Sequence, residues 1–365
     1  MASKDLPEDI MVEILARLPV KSLTRFKRLS KSASALITSS YFINKHFKFS
    51  SEVARNQHAL LITRYLKEYP RNPWMIFISD ETLDDPIELE LPIEDEDDFY
   101  DTAVHGPCNG IFCIYRSYSF AKQGQLILWN PATREAKALP SPHNQPIKSD
   151  ILFIHGFGFD PKTNDYKVVS ISATMQDAVT LFNDEPSSSV TVYNLSSNSW
   201  RTIAGVNVSP FDLGTPKFNS YLNGVYHWKN LQRYGNTIIC FDISKEIFWK
   251  IEIPCFKSCY LEWQVAVIDD SVACVTGPTE TDLYEIWIMN EYGVKESWTR
   301  KYKLVIDFSP GFCDDNLFHT DQGPRWLASY YPRIKQKEQG FLIYVSVLFQ
   351  AVRYAESLFS LPVLE

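Results

Sequence analysis

Two spacings in this 365-residue chain bring reactive side chains close together. His105-Gly-Pro-Cys108 sets an imidazole near a thiol, the raw material of a Cys–His nucleophile. Cys255-x-x-x-Cys259 offers two sulfurs that a zinc site could use. Neither pattern is completed. A dyad needs a geometry that spacing does not supply, and His105 and Cys108 flank a turn. The Cys255/Cys259 pair has no second ligand pair nearby. His155 and His227 sit among strand aromatics, the ordinary setting of a packed imidazole. The sequence contains no phosphate loop, no dinucleotide glycine signature, no serine elbow and no His-Glu-x-x-His helix. The expectation is a non-catalytic chain with neither cofactor nor metal.

Charge offers a different kind of chemistry. Glu94-Asp95-Glu96-Asp97-Asp98 is a solvated loop whose alternative use is contact with a basic partner. Asp177 to Ser189, which includes Asp184, reads as a mobile loop, and loops at one face of a repeat-built domain carry recognition. Both are candidate target-binding segments. The net charge of −8 argues against nucleic acid as a partner and makes a basic protein electrostatically easier. Seven scattered cysteines and a polar start, Met1-Ala2-Ser3-Lys4-Asp5, point to reduced thiols in the cytoplasm or nucleus. No run approaches the ~20 apolar residues of a membrane helix.

Two kinds of element hold these residues. The first is helical. Pro7, Glu8 and Asp9 make a helix start, and Ile10, Met11, Val12, Ile14, Leu15 and Leu18 follow. At helical spacing Ile10, Ile14, Leu18, Met11 and Leu15 fill an arc of about 140°, which Val12 widens to about 200°. Pro19 ends the helix. A second helix carries Leu23, Phe26 and Leu29 on one side and Lys21, Arg25, Lys27, Arg28 and Lys31 on the other. A short third stretch offers Leu36, Ile37, Tyr41 and Phe42. A unit of ~45 residues rarely stabilises itself, and its neighbours are too short to cover so wide an arc. It is either a cap packed on the main domain or a docking module whose partner supplies the cover.

The second kind is a repeat of strands, beginning after Ser50. An apolar strand, an Asn or Asp, a few turn residues and another strand recur in LILWNPATREAKALP, VTVYNLSSNSWRTIAG, IICFDISKEIFWKIEIP and YEIWIMNEYGVKESWTRKYKL. The turn markers Asp80, Asn130, Asn194, Asp242 and Asn290 lie about 50 residues apart, with one longer step from Asn130 to Asn194. A second phrase is seen in GPCNGIFCIY, YLNGVYHW and AVIDDSVACVTG, the last aligning Asp269 with Asn223; its Asn-Gly between apolar runs is a strong hairpin signal. Four short strands per ~40–50 residues predict a propeller of five or six blades. HGFGFDPKTNDYKVVSIS, inside the long step, reads as an extra hairpin and a candidate blade of its own. The stretch from Leu327 reads as a last, degraded unit.

Both regions resemble known families. Leu6-Pro7-x-x-Ile10, then Ile14-Leu15-x-x-Leu18-Pro19-Val20-Lys21-Ser22-Leu23-x-Arg25-Phe26-Lys27, then Leu29-Ser30-Lys31-Ser32 resemble an F-box. Ala33 stands where that pattern usually has tryptophan, and Arg28 where it often has cysteine. Gly106-Pro107-Cys108-Asn109-Gly110, Trp129 to Arg134, Gly156 to Asp160, Asp165 to Val169, Ile286 to Trp298 and the late Glu356-Ser357-Leu358 resemble the plant F-box-associated domain, nearest the S-locus F-box-like group. The resemblance implies an α+β chain, with a small helical F-box at 4–49 and an all-β kelch-like propeller at 55–360. It implies a substrate-recognition subunit of a Skp–cullin–F-box ubiquitin ligase. Leu6, Pro7, Ile10, Ile14, Leu15, Leu18, Pro19, Val20, Leu23, Phe26 and Leu29 would meet a Skp-type adaptor held by a cullin scaffold. S-locus members recognise basic pollen-rejection ribonucleases and other members take unrelated targets, so the target stays open. So does a variant reading, an interaction module that keeps the outline but does not dock.

Overall fold

The computed structural model describes residues 7–56 and most of 60–362. Outside it lie both termini, 66–72, 79–86, 93–98, 119–123, 143–150, 175–187, 232–236, 255–262, 278–282, 306–310, 321–325, 332–335, 338–340, 343–347 and a few shorter breaks. The chain is α+β: four helices, then sheets.

α1 (Glu8–Leu15) starts at Pro7, which takes the N-cap position with extended backbone, and Glu8 and Asp9 fill its first turn. It stops earlier than expected. The N–H groups of Arg17 and Leu18 reach back only three residues, to Ile14 and Leu15, so the last turn tightens before Pro19. α2 (Val20–Phe26) again begins after a proline. The expected third stretch is two helices, α3 (Lys31–Thr38) and α4 (Ser40–Asn56). Ser39 separates them: its backbone is extended, and its hydroxyl accepts from the Phe42 N–H at 3.2 Å. α4 runs on through the residues expected to open the strand region, and the first strand begins at Leu60. Ala54, 2% exposed, continues the buried face that Phe42 and His46 start.

The described strands form six antiparallel sheets, the blades of a propeller. Blade 2 spans 99–138, blade 3 151–203, blade 4 213–252, blade 5 263–305 and blade 6 311–342. Blade 1 joins the two ends of the domain. Its first strand, Leu348–Arg353, comes from the C-terminal region and pairs antiparallel with Leu60–Tyr65, Leu60 opposite Arg353. Such a join leaves no open first or last blade.

The long step of the repeat is one blade, not two. Asp165–Thr174 pairs with Ser189–Asn194, Val169 opposite Val192, so the HGFGFD hairpin is the inner half of blade 3 and the Asn194 hairpin its outer half. Its inner strands are ten residues long, against six in blade 5, which stretches the spacing.

Turn chemistry explains the repeated phrases. Asn109-Gly110, Asn223-Gly224 and Asp269-Asp270 all have positive φ at both positions, the requirement of a type I′ hairpin. They join the first and second strands of blades 2, 4 and 5. The Asn or Asp markers open the turn between the third and fourth strands. The Asp242 carboxylate accepts from the N–H groups of Ser244 and Lys245, and the Asn130 carbonyl from Ala132. The residue closing these turns, Arg134, Asn198 or Glu246, is left-handed. Two of the recurrent tryptophans tie neighbours together. Trp200 of blade 3 donates to the Pro140 carbonyl, and Trp298 of blade 5 to that of Glu252 in blade 4.

Blades bury one another. Ile154, Val169, Ile171, Val190 and Val192 of blade 3 pack on Tyr226, Trp228, Ile239 and Phe241 of blade 4. Middle strands such as Thr237–Asp242 are therefore buried on both faces.

Candidate functional site

The helices make a small core and leave a bare ridge. Val12, Ala16, Val20, Leu23, Ile37 and Phe42 are all 5% exposed or less and pack together. His46 joins them, one ring nitrogen 3.0 Å from the Leu18 carbonyl, with burial pushing its pKa down. On the other side, Ile10, Met11 and Ile14 of α1 are 47%, 41% and 49% exposed, with Phe26 at the end of α2 and Leu29 just beyond it also exposed. Leu15 and Leu18 are half-buried, and Pro7 and Pro19 are exposed. Covering a large aliphatic side chain is worth ~1.5–3 kcal/mol, so the ridge is a substantial unspent apolar surface.

This divides the residues the sequence grouped together. Val20 and Leu23 are fully buried in the protein's own core, so they support the ridge from beneath. Leu23 does not share a face with Phe26 and Leu29. Ala16 is core as well. Met11 belongs to the ridge although the resemblance did not single it out. Helical periodicity gives the angular spread of apolar residues but not which part of a 200° arc faces inward. Leu6 lies outside the described residues. Ala33 is half-buried on α3, and its N–H donates to the Ser30 hydroxyl at 3.1 Å.

The helices rest on the end of the propeller that carries the type I′ turns. Ala132, in the third-to-fourth-strand turn of blade 2, packs against their core. Arg55 of α4 pairs with Asp270 of blade 5 at 3.4 Å. Beside that pair is a cleft of about 220 Å³ lined by Ser51, Asn109, Gly110, Asn219 and Arg353.

The acidic run Glu94, Asp95, Glu96, Asp97 and Asp98, with Asp177 and Asp184, lies outside the described residues. Ser189, placed at the end of the mobile loop, instead starts a strand of blade 3. The strand ends flanking these segments, at Leu89 and Phe99 and at Thr174 and Ser189, are those away from the type I′ turns, by the antiparallel pairing.

His105 and Cys108 take separate partners rather than each other. His105 Nδ1 lies 2.9 Å from the Tyr226 hydroxyl, and burial lowers its pKa to about 4. Burial pushes the Cys108 thiol up to about 12, the opposite of an activated nucleophile. His155 is buried against Tyr115, and His227 bridges the Ser220 carbonyl and the Tyr292 hydroxyl, each at 2.9 Å. Among the described residues no group of three or more His, Cys, Asp or Glu could hold a metal ion. Cys255 and Cys259 lie outside them.

A six-bladed wheel under a four-helix unit with an apolar ridge defines a class of modular binding protein, and comparison places the chain within it. The F-box associated beta propeller domain matches residues 75–357, and the F-box domain matches residues 4–45. The chain belongs to the plant F-box proteins that carry an F-box-associated β-propeller domain. An F-box/kelch-repeat protein of Arabidopsis thaliana is 26% identical over 89% of this chain and 87% of its own length. The Arabidopsis thaliana F-box protein CPR1 is 27% identical over 83% of this chain and 75% of its own.

Proposed function

We propose that this protein is the non-catalytic substrate-recognition subunit of a Skp–cullin–F-box ubiquitin ligase. The F-box ridge binds a Skp-type adaptor, which ties it to the cullin scaffold, and the propeller holds a target protein. The contribution to catalysis is proximity: lysines of the target are kept near the conjugating enzyme. The observation that carries this reading is the row Ile10, Met11, Ile14, Phe26 and Leu29, bare beside a helical core that is otherwise closed.

The target-holding surface is assigned to the end of the propeller away from the helices, where the strand ends flanking the segments of Glu94–Asp98, Asp177 and Asp184 lie. That keeps adaptor and target apart, and the acidic run favours a basic target. A basic ribonuclease is the target class suggested by the S-locus resemblance. The working compartment is the cytoplasm or the nucleus.

The test is capture of a purified Skp-type adaptor by the full chain. Ile14→Asp is expected to abolish capture while thermal unfolding of the β-domain stays unchanged, because Ile14 is half exposed and lies outside the helical core. Undiminished capture by Ile14→Asp removes the ridge as the interface. No capture by the unsubstituted chain favours the second reading, a non-docking interaction module, for which Ala33 in place of an indole is the specific support.

A further inference from the structure

The Glu356-Ser357-Leu358 ending has no place in the function so far. In the fold it occupies the junction between the two domains. After its last blade strand, Leu348–Arg353, the chain leaves the sheet and crosses to the helices. Leu358 is fully buried, and its neighbours are Val12, Ala16, Val20, Leu23, Ile37 and Phe42. The core of the F-box is thus completed by a side chain more than three hundred residues away. Glu356 adds a directed contact, its carboxylate accepting from the Val20 N–H at 2.8 Å. α2 needs it. Pro19 is its N-cap residue and offers no side-chain acceptor, and its first turn holds no acidic residue. Glu356 supplies from outside both the acceptor and the negative charge that a helix start favours.

The same segment is anchored to blade 2 on its other side. Asn130, fully buried, donates both amide hydrogens, to the carbonyls of Ser357 at 3.0 Å and Phe359 at 2.8 Å. Glu135 accepts from the Leu361 N–H at 2.9 Å. Gly110 leaves room for it: a Cβ there would lie 2.7 Å from the Ala355 carbonyl oxygen. One short segment therefore holds α2 with one edge and the propeller with the other.

We propose that Glu356 and Leu358 are positioning residues for adaptor docking: the C-terminal segment clasps α2 and sets both the shape of the ridge and its orientation on the propeller. This rests on the ligase reading above for its function, but the clasp can be tested without it. Full-length Leu358→Asp, Glu356→Ala and Glu356→Gln are compared with the unsubstituted chain in adaptor affinity by calorimetry and in amide hydrogen exchange. Leu358→Asp should weaken adaptor binding by more than about thirtyfold and speed exchange across residues 20–42, with blades 3 to 5 unchanged. Glu356→Ala should weaken binding about tenfold, and Glu356→Gln, which keeps an acceptor oxygen, should recover most of that loss. Unchanged affinity in both Leu358→Asp and Glu356→Ala overturns the proposal. If the unsubstituted chain binds no adaptor, the ligase reading fails, and the clasp then stands or falls on whether Leu358→Asp speeds exchange at 20–42. If Leu358→Asp loosens the blades as well, the Ala/Gln pair at Glu356 decides, and equal behaviour of those two overturns the proposal.

Discussion

Lys167 shows what a buried charge requires. Its ammonium, almost inaccessible, lies 2.8 Å from Asp160 and 3.0 Å from Glu246, which also pairs with Arg201, so blade 3 is tied to blade 4 by charge as well as by apolar packing. Burial alone would raise the Asp160 carboxyl, but hydrogen bonds from Lys167, Ser244, Thr163 and the Lys162 N–H hold it well below the usual carboxylate range. Lys167→Met leaves that carboxylate buried without its cation and is expected to cost about 3 kcal/mol, read as a lowered midpoint in urea unfolding. Acid acts in two windows. His105 and His227 are held neutral, their pKa pushed from 6.5 down to about 4 by burial. The unfolded chain takes up these protons first, so their contribution is complete above pH 6.5 and lost as pH falls toward 4. Asp160 adds a second loss below its ordinary value of 3.8. Each histidine should remove about 2–3 kcal/mol by pH 4.5. His227→Gln should therefore unfold at a temperature less sensitive to pH between 7 and 4.5 than the unsubstituted chain, and equal pH sensitivity would remove His227 from this account.

Among elements, the hairpins carry the repeat, and two glycines separate backbone from packing requirements. Gly224 sits at φ +85° with open space where a Cβ would go, so Gly224→Ala costs only the left-handed conformation, about 1 kcal/mol. Gly158 has ordinary backbone but faces the Tyr221 ring, and a Cβ there would lie 2.3 Å from a ring carbon. That ring is held by its hydroxyl, which donates to the Phe159 carbonyl at 2.7 Å. Gly158→Ala should thus destabilise more, by about 2–3 kcal/mol, as overpacking does. Thermal unfolding of the two variants checks the order. The turns were legible because Asn-Gly and the Asn/Asp markers act through local hydrogen bonds and φ. The assembly of blade 3 was not, since Asp165–Thr174 meets Ser189–Asn194 only by pairing across a long connection.

At the scale of the whole molecule, the F-box stands on one end of the wheel, and the strand ends that flank the two acidic segments, at Leu89, Phe99, Thr174 and Ser189, lie at the other. Replacing Glu94, Asp95, Glu96, Asp97 and Asp98 with Asn and Gln should weaken capture of a basic target and steepen no dependence on adaptor concentration. Pull-down of each partner separately reads this out, and a loss of adaptor capture would contradict the separation of the two ends. Salt should mimic the substitution, because exposed charges are screened within about 8–10 Å at physiological ionic strength.

The sequence by itself determined the order of domains, the repeat with its turns, and a helical unit with more apolar residues than it could cover. These follow from local rules: helical spacing, proline starts, left-handed Asn-Gly corners. Only the tertiary structure decided which apolar residues turn inward, placing Val20 and Leu23 beneath the ridge and leaving Ile14 and Leu29 on it. It alone brought Leu358 into the F-box core and Leu348–Arg353 beside Leu60–Tyr65. Such contacts join residues some three hundred positions apart, and their partners are chosen by closure of the wheel, which no local pattern encodes.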